Sequence, residues 1–381
     1  MVSSSRSGQY VEQLEGYRAF IPSSLPPNPS IEMDQEMWNL LSQADRALGR
    51  MDGATDALPN PDLFVFMYVR KEAVLSSQIE GTQASLIDVL EFESQALEPE
   101  NPQEVAEVVN YISAINYGLD RLETLPVSLR LIREIHSELM KGVRGADRSP
   151  GEFRRTQNWI GAGGCSLSEA TYVPPPVHEM LQSLNNLEKF IHSSQPMPAL
   201  IKIGLAHAQF ETIHPFLDGN GRTGRLLITF LLCQQGILQR PLLYISYFFK
   251  KYRTDYYNCL QNVRDTGSWE RWLKFFLRGV YESAQEATET ARKIVHLKEE
   301  HRQLALDKMG RKSGNAIALI ESLYFKPIFT VEHAEVVTGL SYPNANALIK
   351  DLIDVGLLKE ITGQKRNRAF SYMPYLSVFQ D

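Results

Sequence analysis

The sequence is short of cysteine. Its three, Cys165, Cys233 and Cys259, are far apart and form no CxxC pair, which excludes a disulfide framework and a structural zinc site. It also lacks an excess of positive charge. Lys and Arg number 39 against 45 Asp and Glu, for a net charge of -6. No global field would hold nucleic acid, so any DNA contact must come from a local patch. Long hydrophobic runs are missing too. The longest, such as residues 226–233, are too short to span a bilayer, and no apolar stretch follows the opening MVSSSRSGQY. The expectation is a cytoplasmic protein with no membrane partner. No repeat of fixed period is present.

What is there reads as a mainly α fold. A hydrophobic share of 43% and 381 residues suffice for two or three domains. Residues 1–32 are polar and rich in Pro and Ser, which suggests an extended arm on the surface. Apolar residues recur at helical spacing from 33 to about 95, broken at Gly81. Residues 103–146 read as two helices separated near Pro126. Residues 149–176 are rich in Gly and Pro and carry two short β-favouring runs, 158–160 and 170–173, the pattern of a small hairpin. Helices resume at 177–192, 199–213, 224–235, 252–263 and 269–280. A charged helical stretch with few large apolar residues follows to 312 and predicts a solvated connecting helix. Residues 313–381 offer three helices, then strands at 357–362 and 369–372 around a basic turn with Lys365, Arg366 and Arg368. That order resembles a winged helix-turn-helix. The expected units are 1–102, 103–281, 282–312 and 313–381.

The chemistry concentrates in residues 214–225, HPFLDGNGRTGR. Gly219, Gly221 and Gly224 match GxGxxG, a weak signal alone. A dinucleotide fold needs a preceding strand and a later acid, and a P-loop needs Gly-Lys-Ser/Thr; neither context is met. Residues 201–213 are helical in spacing, so the setting is helix, loop, helix. The second helix is expected to start near Thr223 or Gly224, and its unpaired first-turn amides and dipole favour an anion. Gly219 and Gly221 let the backbone approach it. Arg222 and Arg225, three apart, can clamp successive phosphates. His214 could accept a proton near neutral pH, and Asp218 could hold Mg2+ together with phosphate oxygens. A lone histidine at a helix end is otherwise a cap or a packing residue. The cluster of base, carboxylate, glycines and arginines argues against that bland reading.

These residues match the motif HPFxxGNGRxxR at every specified position, and the chain resembles the Fic (Fido) family over roughly residues 35–280. The resemblance implies a helical core with a short β-hairpin flap. It implies transfer of AMP from ATP to a Ser, Thr or Tyr hydroxyl of a target protein, the chain itself included. His214 would be the general base, and Phe216 would anchor the loop. Asp218 would ligate Mg2+, while Gly219, Asn220 and Gly221 cradle phosphates. Arg222 would stabilise the leaving pyrophosphate and Arg225 would hold the γ-phosphate. Thr171, Tyr172, Val173 and Pro174 sit where the family's flap aligns a target by strand pairing. Tyr256 and Tyr257 resemble a pair lining the adenine pocket, although aromatics on a helix serve equally as core. Relatives also transfer UMP, phosphocholine or phosphate, or remove AMP.

Upstream, Ser76, Glu80 and Gly81 resemble the family's inhibitory motif [S/T]xxxE[G/N]. Ser76 and Glu80 share a helical face, and Gly81 can close the turn. The resemblance implies that Glu80 pairs with Arg225 and blocks productive docking of the γ-phosphate; a solvated glutamate at a helix end is the plainer reading. An ATP-sensing regulator that binds DNA through the C-terminal unit is the alternative of another class. An intact His214 speaks against it, since sensing needs arginines but no base. A homodimer is left open.

Overall fold

The computed structural model describes residues 6–56, 61–94, 99–162, 164–363 and 368–379. An antiparallel pair, β1 (Gly8–Glu12) and β2 (Arg18–Pro22), leads into α1 (Gln35–Asp56), α2 (Asp62–Ile79) and α3 (Leu86–Ser94). Then come α4 (Pro102–Leu122), α5 (Leu129–Leu139), α6 (Val177–Ile191), α7 (Ala199–Ile213) and α8 (Asn220–Gln234). Next are α9 (Ser246–Lys251), α10 (Arg253–Thr266) and α11 (Trp269–Lys308). The C-terminal elements are α12 (Ser313–Leu323), β3 (Ile328–Thr330), α13 (Val331–Thr338), α14 (Tyr342–Asp354), β4 (Lys359–Glu360), β5 (Ala369–Ser371) and α15 (Met373–Ser377).

Local chemistry explains several boundaries. Pro102 opens α4 where its missing N–H costs nothing. Ser128 caps α5, its Oγ accepting from the Leu131 N–H at 3.3 Å. Leu131, Ile132, Ile135 and Leu139 then form the buried stripe of that helix. α7 is different, buried at every position from Leu200 to Ile213 except Lys202. It is the central rod of the bundle, with α6, α8, α10 and α11 around it. Such a helix leads His214 out of the core rather than off a surface.

Three expectations need correction. The arm at residues 1–32 is not simply extended: from Gly8 to Pro22 it folds as a hairpin with Tyr10 opposite Phe20. Ala19 and Phe20 are fully buried, and the Tyr10 and Phe20 rings meet edge to face at 5.0 Å. Apolar burial thus outweighs the polar composition of the segment. The charged stretch from 282 is not a solvated connector; it continues α11, one helix of 40 residues. Its Ala284, Ala287, Thr288, Ala291 and Ile294 are buried, and the helix packs along α1. Small side chains let two helices approach closely, so few large apolar residues were needed there. The hairpin expected across 158–173 reduces to one antiparallel bridge, with Ile160 and Tyr172 exchanging N–H···O bonds of 2.8 and 3.1 Å.

The C-terminal elements build a three-stranded antiparallel sheet in the order β3-β5-β4. They dock on α2, where Phe66 meets Phe325 at 6.5 Å and Tyr68 meets Phe379 at 6.4 Å. Of the basic turn, Lys365 and Arg366 lie outside the described residues. Arg368 is engaged within the unit, bonding Glu360 at 3.2 Å and also Asn346. Among the described residues no helix is long and apolar enough to cross a membrane.

Candidate active site

α7 ends at His214, which takes a left-handed conformation (φ 49°, ψ 61°) and donates its N–H to the Phe210 carbonyl at 3.0 Å. That break turns the chain into the loop. Phe216 is fully buried and lies flat on His136, ring centres 3.7 Å apart. Asn220 locks the loop: its Oδ1 accepts from the Phe216 N–H and its Nδ2 donates to the Phe216 carbonyl, both at 2.8 Å. The Asn220 side chain is therefore spent on the loop itself. α8 begins at Asn220, several residues before the start expected near Thr223, because Gly219 (φ 74°) completes the turn first. Thr223 returns its hydroxyl to the Gly219 carbonyl at 2.9 Å.

Other elements fix the loop from outside. His136 on α5 lies 3.0 Å from the Asp218 carbonyl through Nε2, while its Nδ1 accepts the Gly151 N–H at 2.8 Å. Accepting at Nδ1 places the proton on Nε2. Burial pushes the imidazole down to about 4, which keeps this neutral form. Arg154 donates to the His214 carbonyl at 3.1 Å, and Asn158 to the Phe216 carbonyl at 2.8 Å. None of these three was singled out by sequence pattern. Their signals are ordinary, and only the fold brings them to the loop.

The charged groups divide by role. Arg222 is buried; its Nε and Nη1 make no hydrogen bond among the described residues, and Nη1 lies 3.5 Å from Glu107 Oε2. Buried guanidinium nitrogens without such partners suit an arriving anion. Arg225 is engaged through Nε and Nη2. Its Nε donates to Ser76 Oγ at 2.7 Å, and its Nη2 donates to the Ser76 carbonyl at 3.0 Å and to Glu80 Oε1 at 2.7 Å. Burial works to raise the Glu80 carboxyl, but Arg225 and then Arg222 hold it below its ordinary range. A Cβ on Gly221 would stand 2.2 Å from Glu80 Oε1. The glycine thus admits an anion against the first turn of α8, and here that anion is a carboxylate. Gly81, beyond the end of α2, has φ of 105°.

His214 is partly exposed. Burial of the ring, then Arg264 and Arg154, push it down to about 3, so the imidazole is neutral at physiological pH. Asp218 accepts the Gly219 N–H at 2.7 Å and keeps its side chain 33% exposed. Among the described residues no group of three or more His, Cys, Asp or Glu converges. A magnesium ion here would find one carboxylate and would need phosphate oxygens, a donor set it accepts.

The remaining candidates separate. Tyr256 is buried and bonds His207 Nε2 at 2.9 Å, which makes it a core residue; Tyr257 presents 41% of its surface. Of the four flap residues only Thr171 is exposed. Tyr172 is buried, donates to the Thr212 carbonyl at 2.5 Å and lies 3.9 Å under the Arg264 guanidinium. The Val173 carbonyl already accepts the Phe20 N–H at 2.9 Å, so the strand edge next to Pro174 is partly occupied by the N-terminal hairpin.

Residues 38–120 match the Fic/DOC family N-terminal model and residues 126–232 the Fic/DOC family model. The chain carries a Fic/DOC domain and the family's N-terminal region. It is 28% identical over 250 residues to the protein adenylyltransferase Fic of Aedes aegypti, covering 64% of this chain and 46% of that protein. With the protein of the same name from Drosophila grimshawi it shares 31% over 189 residues, 48% of this chain and 35% of the relative. The chain therefore spans less than half the length of these curated relatives. In fold it is similar to a Fic family protein of Desulfovibrio desulfuricans G20, with TM-score 0.60, 18% identity and coverage of 90% and 97%. Fic-1 of C. elegans gives TM-score 0.53 at 19% identity, with 68% and 74% covered. Both family models cover the Fic/DOC parts that matter here: the first contains Ser76 and Glu80, the second the loop from His214 to Arg225.

Proposed function

We propose that this chain transfers AMP from ATP to a hydroxyl of a target protein and that Glu80 holds the reaction in check. The observation that carries the reading is the state of the loop. It offers Arg222 nitrogens without hydrogen bonds beside a carboxylate lodged over Gly221 and paired with Arg225. A site that seats one anion at a helix start can seat another.

In the forward reaction His214, neutral at working pH, accepts the proton of a Ser, Thr or Tyr hydroxyl. The hydroxyl oxygen attacks the α-phosphorus and forms the new P–O bond. The bond from that phosphorus to the bridging oxygen breaks, and pyrophosphate leaves with the electron pair. Arg222 stabilises the charge growing on pyrophosphate, and the α8 amides hold the phosphates. Magnesium, held by Asp218 and phosphate oxygens, would supply charge neutralisation. Arg225 would hold the γ-phosphate, which requires it to leave Glu80. Thr171 and the cleft lined by Tyr10, Arg18, Gln261 and Asp265 form the surface available to a target. The three helices and small sheet at the C-terminus support a winged helix-turn-helix reading of residues 313–381.

Incubation with ATP labelled at the α or at the γ position tests the reaction class. Label from the α position alone, lost in His214→Ala, is the expected result. Label from γ would identify a kinase instead, and label from neither in Glu80→Gly would leave only a nucleotide sensor.

A further inference from the structure

Glu211 sits one turn before His214 on α7 and takes no part in the chemistry above. Its side chain is buried, with 7% of the residue exposed. Oε1 has no hydrogen-bond partner among the described residues. That oxygen presses on the first turns of α8, where a Cβ on Gly224 would stand 2.3 Å from it. A buried carboxyl oxygen without a partner is destabilising, because its lost hydration is not replaced. Folds seldom carry such groups without a use, and a ligand that satisfies the oxygen is one.

The surroundings narrow the ligand. Burial is the main influence raising the Glu211 carboxyl, to about 7; Arg225 opposes it, Glu80 adds to it and Arg264 opposes it. The charge of Glu211 is in turn felt by both Tyr256 and Tyr257. Glu211 therefore lies against the turn of α8 that carries Gly224 and Arg225, and its charge reaches that arginine and the exposed Tyr257. Phosphate is a poor partner for a carboxyl, since two anions repel, and the arginines already serve it. An acceptor oxygen here suits an uncharged hydrogen-bond donor. On a nucleoside triphosphate such donors are the ribose hydroxyls and an exocyclic amine of the base.

We propose that Glu211 is a specificity-determining residue whose carboxyl accepts a hydrogen bond from the nucleoside half of the bound triphosphate. The proposal rests on reading the loop as a nucleotide site. A pocket built around a buried acceptor rejects an analogue lacking the donor, because its own oxygen is then left unpaired. Gly224 belongs to the same device, since any side chain there would collide with the carboxyl.

The test is calorimetric binding to the full chain carrying Glu80→Gly, with magnesium and four ligands: ATP, 2′-deoxy-ATP, 3′-deoxy-ATP and inosine triphosphate. At least one analogue is expected to bind about tenfold or more weakly than ATP, a deoxy form indicating the ribose and inosine triphosphate the amine. Adding Glu211→Ala should bring ATP down to that analogue's affinity and abolish the discrimination. Glu211→Gln, which keeps an acceptor oxygen, should retain part of it. Equal affinity for all four ligands would overturn the proposal while leaving the nucleotide site standing. So would discrimination unchanged in Glu211→Ala, or a uniform loss of affinity for all four ligands accompanied by a lower Tm. If no triphosphate binds at all, the nucleotide site itself is refuted and the proposal with it.

Discussion

Two buried side chains carry the sharpest consequences at the scale of the residue. Glu72 is wholly interior and receives the Ser246 hydroxyl at 2.5 Å, the Ser246 N–H at 3.0 Å and the Tyr111 hydroxyl at 3.1 Å. Burial dominates and raises its carboxyl to about 7 from 4.5. The folded value lies above the unfolded one, so the contribution to stability is complete below about 4.5 and declines as pH rises to about 7. Glu72→Gln imitates the protonated acid. Relative to it, the unsubstituted chain should lose up to ~3 kcal/mol between those pH values. Denaturant melts at pH 4.5 and 7.5 would measure this, and parallel pH profiles would refute it. His136 gives the second prediction. It stacks on Phe216 and holds the Asp218 carbonyl, so His136→Ala should let the loop drift. A shift of an ångström costs on the order of a hundredfold in rate. AMP incorporation should fall by about tenfold to a hundredfold while circular dichroism stays that of a folded helical chain. Undiminished incorporation would show that the loop is held without it.

At the scale of the element, α2 is the member that joins the Ser76–Glu80 contact with Arg225 to the rest of the protein. Its C-terminal turn presents Ser76 and Glu80 to Arg225, and its middle is pinned to α11 by the Tyr68 hydroxyl on the Ala287 carbonyl at 2.6 Å. Tyr68→Phe removes that bond and should cost about 1 kcal/mol of stability, seen as a lower denaturant midpoint with unchanged m-value; an unchanged midpoint would mean the bond contributes nothing. Legibility follows the same division. The loop was readable because its chemistry is contiguous, and the Ser76–Glu80 spacing because four residues make one helical face. His136, Arg154 and Asn158 were not, because they reach the loop from α5 and from the segment before α6, and no local pattern encodes such meetings. The N-terminal hairpin was missed because the Ser and Pro on either side of it set the character of residues 1–32, although Tyr10, Ala19, Phe20 and the turn at Gly16 were in view. The long α11 was divided in expectation because alanine and threonine make a poor apolar stripe, yet against α1 they pack well.

For the whole molecule, charge and docking decide what the C-terminal unit can do. The chain carries a net charge of -6, Arg368 is occupied by Glu360 and Asn346, and α14 bears Asp351 and Asp354. Sequence-independent DNA binding depends on released counterions and therefore on free cations. A mobility-shift assay with random duplex at about 150 mM salt should show no complex; a salt-sensitive shift would mean the residues of the basic turn supply the missing charge. The same unit rests on α2, so the element carrying Glu80 is braced by the C-terminal elements and by α11 as well as by Arg225. The central claim remains that Arg225 cannot serve Glu80 and a γ-phosphate together. The most direct measurement is the initial rate of AMP incorporation from α-labelled ATP in the unsubstituted chain, in Glu80→Gly and in Glu80→Gly with Arg225→Ala. The account predicts a rise of about tenfold or more on removing Glu80, and its loss when Arg225 is also removed. Equal rates in the unsubstituted chain and Glu80→Gly would contradict it.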